Sequence, residues 1–238
     1  MTDAITARGR FIGLLLIVVV APVGMAFLHY FFNERLFVTD DAQSMFYPAL
    51  HEISRIMNSG DLPWLTLRSW NFGHLAAEYI LGIFNPVSMF ITFWIGQLDN
   101  LGVAALLFVA SHTAIAALGI YFLARNLGAS PLYAGLAAFA ATTDNYVVYW
   151  YAAVWVPGLV AFAWVPWAVL FVFKAYDDAR FILPAALALY MVIASGYPPG
   201  PIALAVVIGV SLAAFLSFDR TLRPLIRVAT AGACGVLL

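Results

Sequence analysis

Charge is the scarcest commodity in this chain. Eleven Lys and Arg and twelve Asp and Glu make up 10% of 238 residues, too few to coat a soluble domain of that size. The two signs nearly cancel, leaving a net charge of −1 and a pI of about 6.4. A basic footprint for nucleic acid is therefore missing, and that class of partner is excluded. Cysteine is down to Cys234, inside an apolar run, which rules out an intrachain disulfide and a thiolate metal cluster. His29, His51, His74 and His112 are scattered without zinc-site spacing. There is no G-x-G-x-x-G, no P-loop and no G-x-S-x-G elbow. A nucleotide has no cradle here, so a transferase of this composition would take its donor from a lipid carrier. No tandem repeat, low-complexity tract or composition shift divides the chain, and 1–238 reads as a single transmembrane domain.

What is abundant is apolar surface: 64% hydrophobic residues, 16% aromatic, and a mean hydropathy of +0.95. The sequence reads as an all-α integral membrane protein, a polytopic helical bundle. Arg8 and Arg10 precede an apolar segment over 11–32, about the roughly 20 residues that a spanning helix needs. Gly24-Met25-Ala26 resembles a signal-peptidase site, but the apolar run continues through Phe27, Leu28 and Phe31. An uncleaved anchor is expected. Further apolar segments follow at 101–123, 132–141, 152–173, 181–194, 202–218 and from 228 onward. Eleven residues remain after Arg227, about half a span, so the sequence is expected to stop inside a helix as the amino-terminal part of a longer protein.

The segment 79–96 is long enough to cross but carries Gly82 and Asn85-Pro86. Charge arbitrates. If it does not cross, the short 132–141 segment crosses with help from 146–151, and the amino terminus is cytoplasmic, then eight basic residues lie inside. These are Arg8, Arg10, Arg125, Lys174, Arg180, Arg220, Arg223 and Arg227, against Arg35, Arg55 and Arg68 outside. That distribution obeys the positive-inside rule, and the opposite choice inverts it. The expected location is the cytoplasmic (inner) membrane, with a long extracytoplasmic first loop over about 33–100.

That loop is where the chain concentrates polarity. Glu34, Asp40, Asp41, Glu52, Asp61 and Glu78 are half of the acidic residues. Within it, Phe46, Leu50, Ile53 and Met57 recur at helical spacing, with His51, Glu52, Arg55 and Asn58 opposite. Pro48 suits a first turn and Gly60 a stop, so an amphipathic helix lying on the membrane surface is expected. Leu62-Pro63-Trp64 offers an interfacial anchor, and Trp70-Asn71-Phe72-Gly73 a turn.

Asp40-Asp41 stands just beyond the first span. A carboxylate there serves as a general base toward an acceptor hydroxyl, as a ligand for a divalent cation (Mg or Mn) that neutralises a phosphate, or as a helix cap. His74 and Glu78 lie at the far end of the loop, within reach of Asp41 if the loop folds back. Arg55 and Arg68, two of the three external cations, suit phosphate, although ion pairs with neighbouring acids compete for them. Asp144-Asn145, the break Gly196-Tyr197-Pro198-Pro199-Gly200-Pro201 and the aromatics Tyr146, Tyr149, Trp150, Tyr151 and Trp155 fall on the same external face. Sugars stack on such rings, and so do interfacial aromatic belts.

Four stretches then carry a resemblance: Asp41 followed by Met45-Phe46-Tyr47-Pro48; Ser59-Gly60-Asp61-Leu62-Pro63-Trp64 followed by Asn71-Phe72-Gly73; Asn85-Pro86; and Ser195-Gly196-Tyr197-Pro198. They resemble the YfhO-like membrane proteins, which belong with the GT-C class of polytopic glycosyltransferases. The last stretch is similar to that family's Gly-His-Pro-Gln turn, from which Tyr197 and Pro199 depart. Trp164-Val165-Pro166 resembles its Trp-x-Pro segment at a helix end. The resemblance implies a GT-C-like bundle with juxtamembrane helices and a catalytic carboxylate in the first external loop. It further implies inverting transfer of a sugar from a polyprenyl-phosphate donor to a glycan, lipid or protein hydroxyl of the cell envelope. The carboxylate would be Asp41, which keeps the family spacing to Tyr47-Pro48, with Asp40 as its partner. Arg55, Arg68, His74, Glu78 and Tyr197 would contact substrate. The rival reading, a lipid-linked glycan transporter or non-catalytic subunit, calls for ionisable residues inside the spans, where His112 is the main example.

Overall fold

The computed structural model describes residues 2–68, 73–75, 77–218 and 223–238, with side chains for 17–68, 73–75, 77–214 and 224–238. Among these residues the chain is all-helical and contains no strand. The helices are α1 (Thr2–Phe32), α2 (Tyr47–Asn58), α3 (Pro86–Ile95), α4 (Leu101–Asn126), α5 (Pro131–Thr143), α6 (Val156–Asp177), α7 (Ile182–Ile193), α8 (Pro199–Phe218) and α9 (Arg223–Leu237). π-helical segments run over Ala42–Phe46 and Val147–Val154, and a 3₁₀ turn over Tyr79–Leu81.

Two of the described helices, α4 and α6, are long and apolar enough to cross a membrane. They pack on each other, and α6 also meets α7, α8 and α9 while α1 and α5 flank α4. Gly119 brings α4 and α6 together, because a Cβ there would sit 2.7 Å from the Trp167 indole nitrogen. That nitrogen donates to the Ile115 carbonyl at 2.9 Å. Pro166 lies in the interior of α6, so the Trp164-Val165-Pro166 segment is not at a helix end as its resemblance implied; tertiary packing on both sides holds the helix through the proline. Another boundary moves as well. Residues 152–154 belong to the π-helical segment, and α6 starts at Val156 with Pro157 in its first turn.

The 79–96 region resolves into the 3₁₀ turn, a left-handed Gly82 and the ten-residue α3. Asn85 caps α3 by accepting the Ser88 N–H at 3.0 Å, with Pro86 in the first turn. Ten residues rise about 15 Å, half of a hydrocarbon layer roughly 30 Å thick, so α3 is too short to traverse one.

α2 forms where its apolar spacing demands, stopped by Gly60 at φ +87°. Its apolar face is taken up by protein rather than left open. Tyr47, Leu50, Ile53 and Ile56 are buried in the main core with Phe37, Phe46, Phe108 and Val109. Ser54 shares that face and faces Gly96, where a Cβ would clash with it. Its hydroxyl and the Asn58 amide both donate to the Phe93 carbonyl, at 3.1 and 3.2 Å, tying α2 to α3.

Candidate functional site: the first-loop groove

Within the first loop, α2, the Thr66–Arg68 segment and the Tyr79–Leu81 turn line a groove of ≈ 660 Å³. Its lining mixes polar side chains, Ser44, His51, Glu52, Thr66, Arg68 and Glu78, with apolar ones, Met45, Pro48, Leu75, Ile80 and Leu81. α2 contributes Pro48, His51 and Glu52 because its inner face is spent on the core.

The polar side chains are cross-braced. Glu52 accepts from Arg55 through both Nε and a terminal nitrogen at 2.7 Å, a bidentate pair. It also accepts from the Thr66 hydroxyl. The same hydroxyl oxygen accepts the Arg68 N–H at 3.1 Å, and the Thr66 N–H donates to the Gly73 carbonyl at 3.0 Å. One buried threonine thereby fastens the outgoing segment to α2. The Arg55 guanidinium, joined by the Thr66 hydroxyl and the charge of Arg68, pulls the Glu52 carboxyl from an ordinary 4.5 down to about 2. Arg55 in turn is held more firmly protonated by Glu52.

A second set of contacts fixes the groove's far wall. Tyr79 and Ile80 lie backbone to backbone against the Gly196 turn. A Cβ on Gly196, where φ is +79°, would fall 2.4 Å from the Tyr79 carbonyl oxygen and 2.8 Å from Ile80. Gly82 makes the reciprocal approach, since a Cβ there would fall 2.9 Å from the Ser195 carbonyl oxygen. The Tyr79 hydroxyl donates to Ile193, the Tyr190 hydroxyl to Phe84, and the Asn85 amide to Met191 at 3.1 Å, each to a carbonyl. The Asn85-Pro86 and Ser195-Gly196-Tyr197-Pro198 stretches, 110 residues apart in sequence, are thus one structural joint.

From that joint a buried relay runs inward. Asn85, Ser88 and His112 are all buried. His112 Nδ1 sits 2.9 Å from the Phe108 carbonyl and Nε2 sits 3.1 Å from the Ser88 hydroxyl. A carbonyl can only accept, so Nδ1 carries the hydrogen and Nε2 accepts from Ser88. Both ring nitrogens are engaged, Nδ1 within α4 and Nε2 in holding α3 to α4.

The expected site residues divide between these parts. Arg68 and Glu78 line the groove. Arg68 is exposed and, among the described residues, enters no salt bridge, whereas Arg55 is committed to Glu52. His74 is exposed and is not part of the groove lining; its carbonyl accepts the N–H groups of Ala77 and Glu78. Tyr197 packs edge-on against Tyr151 and Trp155. Asp40 and Asp41 do not line the groove and stand one turn ahead of its Ser44 and Met45. Asp41 is half-buried and makes no side-chain cap bond, so the cap expected of it is not formed. Asp40 is exposed with φ +49°, the one non-glycine residue with positive φ among the described residues. It is pinned on both sides: the Thr39 hydroxyl donates to the Ala153 carbonyl at 2.9 Å, and the Ser44 hydroxyl to the Asp40 carbonyl at 3.0 Å. No group of three His, Cys, Asp or Glu side chains converges among the described residues.

Sequence reasoning overlooked Ser44 and Thr66 and passed over His51 and Glu52 as mere polar-face residues. Glu52 and Arg55 had a signal, their i,i+3 spacing on that face; Thr66 had none. The turn at Trp70-Asn71-Phe72-Gly73 lies largely outside the described residues. Comparison of the chain with protein-family models, with curated proteins and with solved structures gives no match.

Proposed function

We propose that this chain is a multi-pass membrane protein of GT-C type that transfers a sugar from a polyprenyl-phosphate donor to a cell-envelope glycan, lipid or protein outside the cytoplasmic membrane. The observation that carries the reading is the mixed lining of the groove. A polyprenyl phosphate has an apolar tail and an anionic head, and so needs apolar surface and a cation in one site. Met45, Leu75, Ile80 and Leu81 line the same groove as Arg68, which enters no salt bridge among the described residues. Arg is the side chain best shaped for phosphate.

The chemistry then falls to the carboxylates at the head of the π-helical turn. In this account the acceptor hydroxyl attacks the anomeric carbon, the bond to the donor phosphate breaks with inversion, and Asp41 takes the hydroxyl proton. The left-handed backbone at Asp40, held by Thr39 and Ser44, is the kind of strained conformation that proteins retain where side chains must be aimed. Two adjacent carboxylates also fit Mg or Mn, which take one or two protein carboxylates together with substrate phosphate oxygens; such an ion would neutralise charge on the leaving phosphate. The orientation with a cytoplasmic amino terminus rests on the basic residues counted above and on the shortness of α3. His112, the ionisable residue that a transporter would use, has both nitrogens engaged, which favours a surface site over an internal path.

The test is Asp41→Asn in membranes carrying the full chain, with label followed from polyprenyl-phosphate hexoses into envelope acceptors. Transfer should fall by a factor of about 100 or more, with the inserted amount unchanged. Undiminished transfer would refute the assignment.

A further inference from the structure

From Asp61 to Arg68 the chain runs over the outside of the structure, and one residue of that run is buried. Leu62, Leu65 and Leu67 are exposed at 66%, 50% and 74%, whereas Thr66 is exposed at only 3%. Packing alone would select the opposite arrangement, because a leucine gains more than a threonine from burial in the fold and a buried hydroxyl has to find partners. What turns Thr66 inward is therefore the set of bonds that it makes.

Those bonds have a fixed direction. Glu52 is kept ionised by Arg55, which grips both of its oxygens at 2.7 Å, and an ionised carboxylate can only accept. The single Thr66 hydroxyl hydrogen accordingly goes to Glu52 Oε1. The Thr66 oxygen is then left to accept, and it takes the Arg68 N–H at 3.1 Å. Arg55, Glu52, Thr66 and Arg68 thus form a polarised series that begins on α2 and ends on the backbone of the groove's cation. The Arg68 charge in turn contributes to holding the Glu52 carboxyl down, so the guanidinium lies within electrostatic reach of that carboxylate. Glu52, Thr66 and Arg68 all line the groove. A long cationic side chain on an exposed segment loses much conformational freedom when it binds a ligand, and fixing its backbone beforehand reduces that loss.

We propose that Thr66 is the positioning residue for the donor phosphate: pinned by Glu52, it fixes the Arg68 backbone so that the guanidinium is presented to the groove, and it thereby sets the preference for a phosphate head over a neutral one. The inference rests on the reading of the groove as a polyprenyl-phosphate site. Within that reading Thr66 acts through Arg68 rather than on the lipid itself.

The relative affinities of the full chain for undecaprenyl phosphate and undecaprenol, measured by native mass spectrometry, test it. Thr66→Val keeps the branched shape and removes the hydroxyl; it should lower the phosphate preference roughly 3- to 10-fold while undecaprenol binds as before. Thr66→Ser, which keeps the hydroxyl, should retain most of the preference. Thr66→Ala, which cannot crowd the site, gives the same reading if the valine variant does not fold. An equal fall in affinity for both lipids, or a serine variant no better than the valine one, would make Thr66 a purely structural residue and overturn the proposal. So would a preference that Arg68→Gln abolishes but Thr66→Val and Thr66→Ala leave intact, and in that case the donor reading stands. Absence of any phosphate preference in the unsubstituted chain would remove the donor reading, and the positioning role with it.

Discussion

Replacing Gly196 by alanine tests the joint on which the groove's far wall is built. Its φ of +79° is a left-handed conformation, which costs an L-residue about 1–2 kcal/mol. The added Cβ would also lie 2.4 Å from the Tyr79 carbonyl oxygen and 2.8 Å from two Ile80 backbone atoms. Backbone atoms cannot rotate away as a flexible side chain can, so the 3₁₀ turn must move, at a further cost of about 1–3 kcal/mol. Gly128 is the matched control, with φ +91° and no atom within 4 Å of the new Cβ; Gly128→Ala bears the conformational cost alone. Thermal unfolding of both variants in one detergent isolates the contact. For a chain of this size 1 kcal/mol is about 2–4 °C, so Gly196→Ala should melt lower than Gly128→Ala by roughly 2–12 °C. Equal melting temperatures would refute the claim that the two turns are in contact.

Asn85→Ala removes the α3 cap and the bond to Met191 together and should cost about 2–4 kcal/mol, read as reduced thermal stability; a loss under about 0.5 kcal/mol, the size of a neutral surface change, would contradict the buried joint. Because the Glu52 carboxyl is depressed to about 2, its pairing stabilises the fold above pH 4.5 and is lost as pH falls from 4.5 toward 2. Arg55 is well exposed, so the effect is about 1 kcal/mol; Glu52→Gln should flatten the pH dependence of unfolding in that window, and an unchanged slope would count against the latch. On a Cys234→Ser background, a cysteine at position 125 should resist a membrane-impermeant maleimide added outside intact cells and react after permeabilisation; labelling from outside would invert the orientation.

The helices themselves were legible because apolar runs this long admit few alternatives. Gly60 marked a helix stop by composition alone, whereas Asn85-Pro86 read only as an interruption of 79–96 and proved to be the start of α3. Charge asymmetry predicts that 79–96 is interfacial or re-entrant rather than a span, and its helix α3 is ten residues long. Other features escaped for a common reason: they depend on partners distant in sequence. Helical periodicity placed Leu50 and Ile53 on one face of α2, but not whether that face meets lipid or Phe108; the core claimed it. The resemblance put Pro166 at a helix end, but it lies inside α6, a helix packed against α4 and α7. Thr66 has no local pattern at all, and its role exists only once Glu52 is opposite. Of the candidate site, the polar first loop and Arg68 could be read directly, whereas the placement of Asp40-Asp41 ahead of the groove and beside Ala153 required the fold.

The central claim is that the groove between α2 and the Tyr79–Leu81 turn holds a phosphate-bearing isoprenoid through Arg68. Native mass spectrometry of the full chain with undecaprenyl phosphate and with undecaprenol tests it most directly. A charge-assisted contact of about 1.5–3 kcal/mol predicts that the phosphate binds roughly 10- to 100-fold more tightly than the alcohol, and that Arg68→Gln erases the difference. Equal binding of the two lipids, or a preference for the phosphate that survives Arg68→Gln, would contradict the account.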